Sequence, residues 1–143
     1  PASFCSPPDR RLPIGLGLAW PDRVPDAAPA YDWSVPRSWA FEPLDADAFP
    51  AVELARRCGR AAGTAPAVFN AANEVCVDAF CDRQLPYLGI VATVAGVVDE
   101  HLARTSPLAA GRHVPDAELS VDAVLAADAW ARTRASELTG TPA

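Results

Sequence analysis

The chain has 143 residues, of which 50% are hydrophobic and 21% charged, and its net charge is -6. That size and composition describe one globular domain, large enough to bury a core without disulfide or metal staples. All twelve basic residues are arginines, with no basic cluster beyond Arg10-Arg11 and Arg56-Arg57, which argues against nucleic acid or an anionic membrane surface as a partner.

Residues 1–11 are proline-rich and without a period. Residues 12–20 read as a short, buried, glycine-containing helix. Pro21 ends it, because proline disfavours helical geometry in the residue before it. Residues 21–36 hold four prolines among aspartates and alanines, the composition of an extended loop. Tyr31, Trp33 and Trp39 lie in or just beyond this loop, so it is expected to pack down rather than hang free. Residues 38–44 alternate in polarity and suit a short strand, which Pro43 confines to an edge.

From Pro50 onward the pattern is helical. Proline suits a first helical turn, and the first helix is expected to end near Cys58, with Gly59 and Gly63 as stop signals. Thr64 is a good N-cap for a second helix running to about Arg83, with Pro66 in its first turn. Val68, Ala72, Val75, Ala79, Phe69, Cys76 and Phe80 give that helix a wide apolar face. A third helix covers about residues 88–104 and residues 106–118 form a loop. Ser120 then caps a last helix, with Asp122 favourable in its first turn. Val121, Val124, Leu125, Ala129 and Leu138 are placed near one face. The expected fold is mainly α: a bundle of about four helices over residues 50–143, and an extended arm over residues 1–49 with one short helix and at most one short strand.

The most distinctive run is Thr64-Ala65-Pro66-Ala67-Val68-Phe69-Asn70-Ala71-Ala72-Asn73-Glu74. Asn70, Asn73 and Glu74 stand at i, i+3 and i+4 and so share a helical face. Amides there can tie loop backbone to the helix. A carboxylate there can also orient a ligand or act as a base. The structural role is the commoner one, since buried polar groups mostly satisfy backbone. These three are the candidate catalytic residues.

Other constellations carry less. The four cysteines include no pair at the spacing of a zinc or redox site, so reduced, mostly buried thiols are expected. His101 and His113 fall one on a helix and one in a loop. Asp99, Glu100 and His101 are adjacent and point apart on a helix, so no metal site is expected. Asp45 and Asp47 flank a helix start and serve its dipole. The longest charge-free apolar run, residues 85–98, is too short to span a bilayer, and no signal peptide is evident. The expected location is the cytoplasm. The chain begins at Pro1 and has no methionine, which fits a natural start after methionine removal or a cut in a longer protein.

Three segments, taken together, resemble the C-terminal part of the 1-deoxy-D-xylulose 5-phosphate reductoisomerase family. The first is Pro8-Asp9-Arg10-Arg11-Leu12-Pro13-Ile14, continuing to Ala19-Trp20-Pro21-Asp22-Arg23-Val24. The second is Trp39-Ala40-Phe41-Glu42-Pro43, followed by Phe49-Pro50-Ala51-Val52-Glu53-Leu54-Ala55. The third is Asn70-Ala71-Ala72-Asn73-Glu74, and Leu119-Ser120-Val121-Asp122-Ala123-Val124 adds to it. Order and spacing agree from about residue 8 to residue 138. The resemblance implies an enzyme with an N-terminal NADPH domain, a central domain holding a divalent metal and the substrate phosphate, and a supporting C-terminal helical domain. No position here matches the dinucleotide motif, the metal ligands, the lid or the phosphate-binding residues. The chain alone is therefore expected to bind neither NADPH nor metal.

One functional segment is partly kept. The family's Pro-Asp-Met-Arg turn lies near the nicotinamide; here it reads Pro8-Asp9-Arg10-Arg11, so Pro8 is a remnant of that turn. The family's preceding strand is replaced by the proline-bearing residues 1–7. These departures point to a stand-alone relative over a clean fragment. Two readings follow. One is a structural part of an isoprenoid-precursor enzyme that packs on a central catalytic domain and has no catalysis of its own. The other is a repurposed stand-alone domain, monomeric or homo-oligomeric, that binds and isomerises or cyclises a small apolar molecule. Its pocket would be lined by Trp20, Trp33, Trp39 and Tyr87, with Asn70, Asn73 or Glu74 as polar contacts.

Overall fold

A computed structural model of the chain describes residues 9–30, 32, 34–36, 38, 40–104, 106 and 109–140. Pro8, Trp33 and Trp39, three of the residues singled out above, lie outside them. The chain divides into two compact units, Pro1–Glu42 and Pro43–Ala143. Its helices are α1 (Arg11–Ala19), α2 (Ala51–Ala61), α3 (Ala65–Cys81), α4 (Tyr87–Ala103) and α5 (Val121–Thr139), with a 3-10 turn at Asp116–Glu118. The fold is mainly α, as the sequence implies. Among the described residues there is no strand, and the described part of residues 38–44 is irregular.

In the first unit, the Asp9 carboxylate accepts from the Arg11 backbone N–H at 3.0 Å and from its guanidinium. It thereby secures the start of α1, where an anion suits the exposed N–H groups. The Arg11 contact holds the Asp9 carboxyl down at about 2. The helix itself is not buried: Leu12, Ile14, Leu18 and Trp20 are all exposed. Val24 and Ala27 approach it at Gly15 and line a hollow with Leu12, Pro13 and Leu16.

The second unit is the bundle. Asp45 Oδ1 accepts from the N–H groups of Asp47 and Ala48, folding the turn that leads to Pro50 and α2. Gly59 does not stop α2. The helix runs through it and ends where Ala62 and Gly63 take positive φ. α3 is central, buries Val68, Ala71, Ala72, Cys76 and Ala79, and packs most extensively on α4 and α5. α4 contributes Val94, Val97 and Val98. Burial pushes the Cys58 and Cys76 thiols up, so both stay protonated core residues.

α5 turns a different face inward from the expected one. Its buried residues are Ala127, Ala131, Ala135 and Ser136, while Val121, Leu125 and Leu138 are exposed. Small side chains win because α3 also presents alanines, and alanine against alanine lets two helices approach closely. Ser120 Oγ does accept from Ala123 N–H at 3.2 Å, and Gly140 closes the helix in the left-handed conformation. Three ion pairs tie the helices outside the core: Arg57 to Asp99, Arg132 to Glu74, and Arg134 to Glu100.

The α5 stripe leads to a prediction. Ala131 has no exposed surface, so Ala131→Leu forces the α3 and α5 backbones apart and lowers stability by about 1–3 kcal/mol. Urea midpoints measure it. Leu125→Ala, on the exposed face of the same helix, is expected to move the midpoint much less.

Candidate functional site

Two features of the bundle carry chemistry. The first is an open apolar cleft of about 360 Å³. Phe49 and Val52 reach it from the start of α2, Phe69, Asn73 and Val77 from α3, and Tyr87, Leu88 and Val91 from α4. The Asp45 turn sets the first of these walls. Tyr87 stands edge-on to Phe80 with ring centroids 5.8 Å apart. The Asn73 carboxamide is the main polar group in this cleft. It is half-buried and has no hydrogen bond among the described residues. A cleft of this size, apolar with one free amide, matches the usual lining of a small-molecule site.

The second feature is a buried polar seam. His101 projects from α4 with no exposed surface, and its Nδ1 lies 2.7 Å from the Gly111 carbonyl oxygen. A carbonyl only accepts, so Nδ1 carries the proton and Nε2 is an acceptor. The Thr64 hydroxyl, 3.0 Å away, therefore donates to Nε2, and its oxygen accepts from Val114 N–H at 3.0 Å. Two backbone contacts complete the seam: Thr64 N–H donates to the Val114 carbonyl, and Gly63 N–H to Asp116 Oδ1 at 2.7 Å. Thr64 occupies the N-cap position but does not cap α3 with its side chain. The loop 50 residues on meets the donors there, which frees the hydroxyl for His101. Burial pushes the His101 imidazole down and outweighs the Gly111 hydrogen bond, with Arg104 and His113 adding to the effect, so it is neutral. Gly111 has φ +69, and a Cβ there would enter the Trp130 ring. Glycine is required at that position.

The residues singled out from the sequence separate in space. Asn70 and Glu74 share a face, as their spacing implies, but they do not hold loop backbone. Asn70 Nδ2 donates to Glu74 Oε1 at 2.8 Å, and Glu74 Oε2 accepts from Arg132 at 2.6 Å. The Arg132 guanidinium, then Asn70, hold the Glu74 carboxyl below its ordinary value, so it is an ionised surface partner of α5. Asn73 lines the cleft, as Tyr87 does. Trp20 is exposed in the first unit. Asp99, Glu100 and His101 do point apart: to Arg57, to Arg134 and into the core. Among the described residues no three His, Cys, Asp or Glu side chains gather as a metal site, and no helix is long and apolar enough to cross a membrane. The seam itself was not foreseen. Its signal is register: His101 extends the 94, 97, 98 series of buried valines on α4, which places the imidazole inside.

Comparison with known proteins bears on what this bundle is. A family model described as the DXP reductoisomerase C-terminal domain matches residues 5–134. The chain belongs to that family. Curated relatives named 1-deoxy-D-xylulose 5-phosphate reductoisomerase include that of Cutibacterium acnes, 64% identical over 93% of this chain and 33% of the relative, and that of Kitasatospora griseola, 59% identical over 93% and 32%. The chain thus spans about a third of the length of the curated relatives it matches. A solved structure of the reductoisomerase from Zymomonas mobilis in complex with NADPH superposes with a TM-score of 0.68 at 35% identity, over 95% of this chain and 33% of that one.

The seam and the ion pairs separate in a mutational test. Thr64→Val keeps the shape but leaves His101 Nε2 without a donor and Val114 N–H without an acceptor. A loss of about 1–3 kcal/mol is expected for each buried group left unpaired. Glu74→Gln breaks a solvent-facing pair and is expected to shift the urea midpoint only slightly. A larger loss from Glu74→Gln than from Thr64→Val would contradict this assignment of roles.

Proposed function

We propose that this chain is the supporting helical domain of a 1-deoxy-D-xylulose 5-phosphate reductoisomerase of isoprenoid-precursor synthesis, with no catalysis of its own. The observation that carries the reading is the family match over residues 5–134, set against relatives about three times as long. NADPH, the divalent metal and the substrate phosphate would then be held by the other two thirds of such an enzyme. The chemistry of this chain agrees with that division. Asn70 is bonded to Glu74, Glu74 to Arg132, and His101 to the seam. Exposed Leu12, Ile14, Leu18 and Trp20 offer apolar surface for packing on a central catalytic domain.

The polypeptide by itself is expected to bind NADPH no tighter than about millimolar and to oxidise none with 1-deoxy-D-xylulose 5-phosphate and magnesium. Fluorescence titration and absorbance at the reduced-nicotinamide band measure the two. Micromolar binding or any substrate-dependent oxidation would overturn the reading.

A second reading is favoured by the cleft and its unpaired amide. In it, the bundle binds a small, mostly apolar molecule whose single polar group meets Asn73, with Tyr87 at the rim. A hydrophobic dye should then gain fluorescence with the intact chain. Val77→Trp, which fills the cleft, should bring the signal near that of free dye. If the variant folds and binds dye as well as the parent does, the cleft is not a ligand site.

A further inference from the structure

We propose that the seam between the 111–116 loop and the start of α3 is an acid-released clasp: a proton on His101 opens the loop from α3 while the helices stay packed. The geometry is specific. In the neutral state every polar atom of the Thr64–His101 pair is used, with Nδ1–H to Gly111, Nε2 accepting from Thr64, and Thr64 accepting from Val114. A second proton places an N–H on Nε2, facing an oxygen that now donates to it. Thr64 must reverse its hydroxyl. Its hydrogen then loses the acceptor it has, in a site with no exposed surface.

Among the described residues, the surroundings offer the new charge no free anion. From the loop, His113 stands edge-on to His101 at 5.5 Å, with its Nδ1 buried and unbonded. From α5, Trp130 lies at 5.7 Å and is neutral. At the end of α4, Arg104 lies over that same ring, 5.3 Å from its centroid, and is a cation. From α3 the neighbour is Thr64. The carboxylates nearby are engaged elsewhere: Asp116 with Gly63 N–H, Glu118 with Arg112, Glu100 with Arg134. The charge is relieved by letting water in, and the loop is the side that can move. It is held by a handful of hydrogen bonds, whereas α3, α4 and α5 share a core of Val68, Val94, Val97, Val98 and Ala131.

The direction in pH follows. The folded imidazole sits below its ordinary value, so the unfolded or opened form binds the proton more readily. Closure is complete above about pH 6.5 and weakens as pH falls through that value toward the folded one.

Amide hydrogen exchange, corrected for the intrinsic pH dependence, tests this on the intact chain. Between about pH 7.5 and about pH 5 the Thr64 and Val114 amides should lose about tenfold or more of their protection, while α5 amides keep theirs. His101→Gln, which accepts and donates without titrating, should abolish the pH effect, and His113→Gln should leave it. If His101→Gln fails to fold, the His101 ring-proton resonance of the parent takes its place: its titration should coincide with the loss of protection at Thr64 and Val114. Unchanged protection with His101 protonated, loss shared equally by α5, or an effect that follows His113 instead, would each overturn the proposal.

Discussion

The bond from the Thr64 hydroxyl to His101 Nε2 organises this bundle. It lies where three elements meet: the start of α3, the end of α4, and the loop leading to α5. Each atom of it has one proton arrangement that satisfies its neighbours. A helix start leaves N–H groups without partners, and here the chain from Val114 to Asp116 supplies them. Thr64 and Gly63 are thus met by distant chain, while Ala65 N–H is met locally by the Ala62 carbonyl. Gly63 and Gly111 are needed beside it for the same reason, since Val114 backbone and the Trp130 ring occupy the space a Cβ would fill.

Around that point the helices close through small residues. Alanines of α3 meet alanines of α5, which brings the backbones near and leaves larger residues of α5 facing outward. Close packing of this kind gains dispersion contacts per unit area and tolerates little added volume. The arginines then add reach over the top: Arg132 spans to Glu74 and Arg134 to Glu100, and the charges stay wet. Such pairs set register more than they stabilise.

The two outward features of the chain have one physical origin. Exposed leucine, isoleucine and tryptophan on α1, and an apolar cleft between α2, α3 and α4, are surfaces that water covers poorly.

Much of this protein was legible in its sequence. Helical spacing from Pro50 onward and Ser120 before an apolar run determined a mainly α bundle. The order of its short motifs determined the family. These are local or linear properties, and a linear reading reaches them. The roles of individual polar residues were decided only in three dimensions. Asn70, Asn73 and Glu74 look alike on a helical wheel, yet Arg132 from α5 claims Glu74, Asn70 bonds Glu74, and the cleft keeps Asn73. Thr64 reads as a cap and serves a histidine. His101 and His113, twelve residues apart, become ring neighbours because the loop folds back on α3. Spacing along one helix says which side chains share a face; which partner meets that face is set by the packing of other helices, and the sequence does not carry that information in any local pattern.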